Sequence, residues 1–293
     1  MKRFGLICLT TLLLTACNAQ DKRETNISVK DATDHKVELA KPAKKIICLT
    51  EICVDGLKSL DMKPAGVLKT SIAHEPEFFK KEKIETIPGT FFEPDVESIL
   101  AKNPDVVIGL KGTHDNLRKS LGNRLMIVNP NNVDDAKVFL TDLGKLTDKT
   151  DKAKQDIDLF DKEFNKVKGK FKDHSSLILF GNETQYNMET TKNSGGYLLS
   201  QIAYYPFQSE LVANKNADLK EILKVNPEYI FVESFKFGNS KDLTASLAKD
   251  KVWQQLDAVK NHHVFEVKTT IWANGRGLNS YRQMITDVEN AMR

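Results

Sequence analysis

Apolar residues alternate along this chain between two patterns. Short unbroken runs, as in KKIICLT (44–50), DVVIGL (105–110), RLMIV (124–128) and SSLILFG (175–181), read as strands buried on both faces. KPAGVL (63–68) and HHVFEV (262–267) are further strands. Between them the apolar positions recur at helical spacing, as in EICVDGLKSLD (51–61), GGYLLSQIAYY (195–205), KVWQQLDAV (251–259) and SYRQMITDVENAM (280–292). Strand–helix alternation of this kind predicts an α/β fold with mostly parallel sheets covered by helices.

The middle of the chain breaks the alternation. From Val133 to Phe171 the strand signal fades and charges multiply. Ala153, Ile157, Phe160, Phe164, Val167 and Phe171 step by four, three, four, three and four residues, which predicts one amphipathic helix of about five turns. A long helix between two αβ halves suits a strut joining two lobes. The halves also echo one another. DVESILAKNPDVVI (95–108) returns 123 residues later as DLKEILKVNPEYIF (218–231), with five of 14 positions shared. Asp95 and Asp218 stand as N-caps, and Pro104 and Pro227 stop the helices before a strand. The unit therefore marks the same station in two similar lobes, except that Glu97 returns as Lys220.

The first residues do not belong to the globule. MKRFGLICLTTLLLTAC has Lys2 and Arg3, an apolar run too short to span a membrane, then small residues before Cys17, the form of a secretory signal. LTAC resembles the lipobox of bacterial lipoproteins, which implies cleavage before Cys17 and its acylation. Residues 1–16 are then a signal peptide and 17–30 a polar tether. An N-terminal lobe over 31–148, a bridging helix over 149–172 and a C-terminal lobe over 173–293 complete the expected organisation. Of the formal net charge of +3, two units reside on Lys2 and Arg3, so the exported chain is near neutral and gives no electrostatic reason to bind nucleic acid. Cys48 and Cys53 remain, as buried thiols or as a disulfide, which an extracytoplasmic location permits.

No enzyme constellation stands out. The chain contains no G-x-S-x-G elbow, no H-E-x-x-H, no phosphate-cradling G-x-x-x-x-G-K and no G-x-G-x-x-G. Its six histidines are dispersed, and two cysteines without a nearby histidine make a poor metal site. A lipid-anchored enzyme or adhesin is the competing class, and a clustered nucleophile, base and carboxylate would favour the enzyme.

In their order along the chain, KKIICLTEICVDGLKSLDMKPAGV, IPGTFFEPDVESILAKNPDVVI, WQQLDAVKNHHVFEV and WANGRGLNSYRQMITDVENAM resemble the substrate-binding lipoproteins of ABC importers for iron–siderophore, heme and cobalamin complexes. The resemblance spans nearly the whole exported chain. It implies two αβ lobes bridged by one long helix, with the ligand in the cleft between them. It implies a binding protein without chemistry or cofactor of its own, expected as a monomer, that hands its cargo to an ABC permease with its ATPase. It also implies one exposed docking glutamate per lobe, seven residues before the proline of the helix–strand turn. Glu97 fits that place. Lys220 occupies its counterpart, which leaves Glu221 as the second candidate.

Open parallel sheets hold ligands at the carboxyl ends of their strands. The loops there carry Thr50, Glu51, Lys69, Phe91, Phe92, Lys111 and His114 in the first half, and Tyr186, Phe235, Lys236, Trp272 and Arg276 in the second. Aromatic faces with cations suit a bulky anionic chelate. GTFFEPDVESI is similar to the heme-binding members of the family, yet Phe92 stands where their axial methionine would be, and Phe235 falls near their histidine. WANGRGLNS resembles the W-x-x-x-R-G-L-x-S ending of siderophore binders, whose arginine, here Arg276, pairs with an anionic chelate. The expected ligand is a ferric siderophore, with heme second and cobalamin or an oxyanion more distant.

Overall fold

A computed structural model describes residues 27–68, 77–79, 81–207, 217–235 and 242–293. It begins with an antiparallel hairpin of β1 (Ile27–Lys30) and β2 (Lys36–Leu39), in which Val29 faces Val37. The first sheet is wholly parallel. It runs β5 (Thr86–Ile87), β4 (Gly66–Leu68), β3 (Ile46–Cys48), β6 (Val106–Leu110), β7 (Leu125–Val128). Its strands are apolar on both sides because helices cover both faces. Ile47, Val107 and Ile127 enter one cluster with Leu68, Ile99 and Leu121, while Ile46, Cys48, Val106 and Ile108 enter the main core. Strand periodicity of two divides them.

The second sheet has the order β10 (Ala203–Tyr204), β8 (Phe171–Gly181), β11 (Tyr229–Ser234), β12 (Val264–Glu266), all parallel. The short β9 (Tyr186–Met188) adds to β8 in the opposite direction. The expected α/β architecture with two mainly parallel sheets is therefore present.

Helices α1 (Glu51–Ser59), α2 (Val96–Ala101), α3 (Arg118–Leu121), α4 (Val133–Leu146) and α5 (Thr150–Val167) belong to the first part of the chain. Those of the second part are α6 (Ser194–Ile202), α7 (Leu219–Val225), α8 (Leu243–Leu247), α9 (Asp257–Lys260), α10 (Thr269–Trp272) and α11 (Leu278–Ala291). The chain passes from β7 to β8 through α4 and α5. Helix α5 buries Ala153, Phe160, Phe164 and Val167, but it stops one turn short of the expected stripe. Phe171, expected on that stripe, opens β8 instead, because Gly169 takes a left-handed backbone (φ 72°) after the helix ends.

Helix α11 returns to the first half and packs on α1, α4 and α5. Arg282 ties it to α5 through Glu163 (2.7 Å) and Asp156 (2.9 Å). Its start is held by a residue 225 positions earlier. The Asp55 carboxylate accepts hydrogen bonds from the Asn279 and Ser280 backbone N–H groups (3.1 and 2.7 Å) and the Ser280 hydroxyl (2.6 Å). Asp55 thus serves as the N-cap that Gly277, lacking a side chain, cannot supply. Gly277 is required for space, since a Cβ there would lie 2.2 Å from Asp55 Cγ.

Candidate functional site

Strand ends of the first sheet and the segment before α11 together enclose a pocket. Its walls are Thr50, Glu51 and Ile52 after β3, Phe91 after β5, Leu110 at the end of β6, and Asn274 and Arg276 from the other half of the chain. The cavity is small, about 40 Å³, and opens to solvent. This is the carboxyl edge of a parallel sheet, where ligands are expected.

The GRGLNS segment divides its labour. Gly277, Asn279 and Ser280 clasp Asp55, and Arg276 immediately before them is turned toward the pocket with a left-handed backbone (φ 52°). Arg276 Nε donates to the Ala273 carbonyl (3.1 Å). Burial raises the Asp55 pKa, while its bonds to Ser280 and Asn279 pull the other way. The guanidinium is therefore carried on a rigid mount.

Thr50, Glu51 and Ile52 are mounted as firmly. Cys48 and Cys53 form a disulfide, with Cα atoms 5.4 Å apart, and both are buried. Of the two states open from the sequence, the disulfide is the one present. It brackets the three residues that line the pocket at the start of α1.

Behind Arg276 lie two buried carboxylates on the second sheet. Glu233 is on β11 and Glu189 follows β9, with relative exposures of 1% and 6%. Glu189 Oε2 accepts from the Gly196 N–H (2.6 Å) in the first turn of α6. Gly195 in the same turn leaves room for that oxygen, since a Cβ there would lie 2.6 Å from it. Burial pushes the Glu189 pKa up to about 7, with the Gly196 N–H and the charge of Arg276 opposing. Burial and the neighbouring Glu189 drive the Glu233 pKa well up, and one of its oxygens, Oε1, has no hydrogen-bond partner.

Of the expected ligand-site residues, the structure brings Phe91 and Arg276 to one pocket, with Thr50 and Glu51. Others stand elsewhere. His114 is fully buried: its Nδ1 accepts from the Leu110 N–H (2.9 Å), and its Nε2 donates to the Phe91 carbonyl (2.7 Å). Burial lowers its pKa, and it pins the Phe91 loop instead of facing a ligand. Trp272 is core, stacked on Phe231 at 4.8 Å and donating to Asp287 (2.9 Å). Lys111 reaches away to the Ala32 carbonyl (3.0 Å) at the β1–β2 turn. Phe92 projects into solvent beside Phe91, while Tyr186 and Phe235 are half-buried at the second sheet's carboxyl edge. Lys69, Lys236 and Cys17 lie outside the described residues.

Asp55, Glu189 and Glu233 were not singled out in the sequence. The signal was there: each is a carboxylate inside or ending an apolar stretch, as in ICVDGL, YNMET and YIFVES. Among the described residues no group of three His, Cys, Asp or Glu side chains could hold a metal ion, and no helix is long and apolar enough to cross a membrane.

Comparison with known proteins adds to this geometry. A family profile described as periplasmic binding protein matches residues 46–270. A petrobactin-binding protein of Bacillus subtilis is 25% identical, with 100% of this chain and 99% of its own length covered. An iron-uptake system-binding protein of the same organism is 27% identical, covering 98% of this chain and 99% of its own. Among solved structures, a siderophore-binding protein in complex with two acinetobactin molecules and ferric iron superposes with a TM-score of 0.75 at 20% identity, over 92% of this chain and 99% of its own.

Proposed function

Because the chain belongs to the periplasmic binding protein family, a family of non-enzymatic solute binders, we propose that it captures a ferric siderophore outside the cytoplasm and delivers it to an ABC permease. The observation that carries this reading is the pocket in which Arg276, mounted on the Asp55 clasp, faces Thr50, Glu51 and Phe91 from the other half of the chain. A fixed guanidinium offers charge-assisted hydrogen bonds to an anionic group, and an aromatic ring offers a face to the body of the chelate. A siderophore brings its own iron ligands, so the protein supplies only charge and shape. The names of relatives that bind petrobactin and Fe(3+)-citrate support the same cargo class.

Acylation of Cys17 anchors the protein to the membrane surface, and Glu97 on α2 docks against the permease. Helix α2 leaves Glu97 exposed and without an ion pair among the described residues. Glu221 on α7 is exposed too but is tied to Lys224 (2.6 Å).

Titration of the exported chain with ferric siderophores, following tryptophan fluorescence, tests the cargo. Saturable quenching is expected, and Arg276→Ala should weaken it about tenfold or more with the fold intact. A Soret band that shifts on addition of heme, with no response to any ferric siderophore, would overturn the reading in favour of heme transport.

A further inference from the structure

Glu189 and Glu233 sit on one face of the second sheet. The Glu189 N–H donates to the Ile178 carbonyl (3.0 Å), which continues the antiparallel β9–β8 register and sets Glu189 opposite Ile178. Glu233 pairs with Phe180 in the parallel β8–β11 register. Residues 178 and 180 of one strand point to the same side, so the two buried carboxylates do as well. The fold does not require an acid there. At the matching strand end of the first sheet, Leu110 holds the place of Glu233 in the repeated unit. Two carboxylates in one buried site cannot both stay ionised unless cations and N–H donors compensate them. Here the compensation is thin. Glu189 has the Gly195 and Gly196 N–H groups of α6 and the charge of Arg276, whereas Glu233 has Arg276 and an Oε1 without a hydrogen-bond partner. Tyr205 just past β10 and Tyr281 on α11 also act on Glu189, and Asp135 on α4 acts on Tyr281. Burial drives both tyrosine hydroxyls toward the neutral form, so neither adds charge near neutral pH. Among the described residues, Arg276 is therefore the cation whose charge reaches both carboxylates, and it also lines the pocket.

We propose that the Glu189–Glu233 pair takes up a proton when an anionic ferric chelate engages Arg276, so that cargo binding is linked to pH. The inference rests on the siderophore reading above and adds a regulation of the same site. A bound anion offsets the field of the guanidinium at the two carboxylates. Their ionised form then loses its stabilising cation, and a proton from solvent binds the pair more tightly. Linkage is reciprocal, so the proton tightens chelate binding by the same factor. Affinity is highest where the pair is already protonated, below pH about 7, and falls as pH rises through that value.

Isothermal titration calorimetry of the exported chain at pH 7, in two buffers of different ionisation enthalpy, counts the protons taken up. The probes are the ferric complexes of enterobactin, petrobactin and citrate, of which the tightest binder is carried through the series. Uptake of a fraction of a proton is expected. Affinity should be about five- to tenfold higher at pH 6 than at pH 8.5, because one unit of pKa change is tenfold in binding. The Glu189→Gln/Glu233→Gln variant keeps both shapes and removes both ionisable groups, so its proton count should fall to that of the chelate alone and its pH profile should flatten. Glu189→Gln alone should lower the count. Wild type that takes up no proton, or counts equal in wild type and both variants, overturns the linkage while leaving siderophore capture standing. Failure of all three complexes to bind at any pH overturns both.

Discussion

The repeated unit places two segments of the molecule in the same surroundings and lets their differences speak. In each, a helix capped by aspartate leads into a strand that lies next to the first strand of its lobe's sheet, β6 beside β3 and β11 beside β8. Asp95 accepts from the Ser98 N–H (2.6 Å), and Asp218 accepts from the Lys220 N–H (2.9 Å). Asn103 and Asn226 both leave their helices with a left-handed backbone, φ 46° and 51°. Asparagine tolerates that conformation better than most residues, which accounts for its return ahead of each proline. The caps and turns are shared because local backbone physics demands them. The outward charges and the strand ends are not bound by that demand, and there the copies part. Glu97 answers to Lys220 on the surface, and Leu110 in the pocket wall answers to the buried Glu233.

The surface difference is the one with the largest expected effect. Glu97→Ala should reduce uptake of the ferric chelate to background in cells while leaving its affinity for the purified protein unchanged. Glu221→Ala should reduce uptake only a few-fold, because that carboxylate is already paired with Lys224. Equal losses from both variants would show that the lobes dock symmetrically after all.

Next comes the strand-end difference, read through pH. Glu189, held up by burial, has a folded pKa of about 7 against an ordinary value of 4.5. Its protonated form is favoured by folding, so its contribution to stability is complete below pH about 4.5 and is lost as pH rises through 7. The linked change is on the order of 3 kcal/mol. Urea unfolding across pH 5 to 7.5 should therefore show a downward slope in wild type that Glu189→Gln flattens. Glu233→Leu, which copies the first lobe's residue, should weaken the same slope. An unchanged slope in both variants would mean that these carboxylates ionise freely.

The shared caps should give the smallest effects, and similar ones. Asp95→Ala and Asp218→Ala should each cost about 1 kcal/mol by urea unfolding, since each removes one side-chain bond to an exposed helix start. A cost several times larger for one of them would show that its unit does more than terminate a helix.

Much of this molecule was legible in the linear pattern, because strand and helix are decided by neighbours two to four residues away. Unbroken apolar runs became β3, β6, β7, β8 and β11, and the repeat unit became the same station in both sheets. The stripe through α5 was read correctly up to Val167 and failed at Phe171, where a turn interrupts a spacing that continues by coincidence. Candidate site residues fared less evenly. Arg276 and Phe91 meet in the pocket, whereas His114 and Trp272 satisfy their polar atoms inside the core. A loop histidine facing a cleft and one folded inward have the same sequence signature.

By itself, the sequence determined the two-lobed alternation, the caps and the turns, each of which depends on local backbone preference or on the spacing of apolar side chains. Only the tertiary structure decided which polar groups face solvent, core or ligand. Asp55 became a helix cap by meeting residues 224 and 225 positions away, and in doing so it mounts Arg276. Cys48 and Cys53 became a disulfide because β3 and α1 bring their Cα atoms within 5.4 Å. Glu189 and Glu233 became a high-pKa pair because the segment after β9 and the strand β11 buried them near Arg276. Burial and charge pairing are properties of neighbours in space, and a linear order of residues does not name those neighbours.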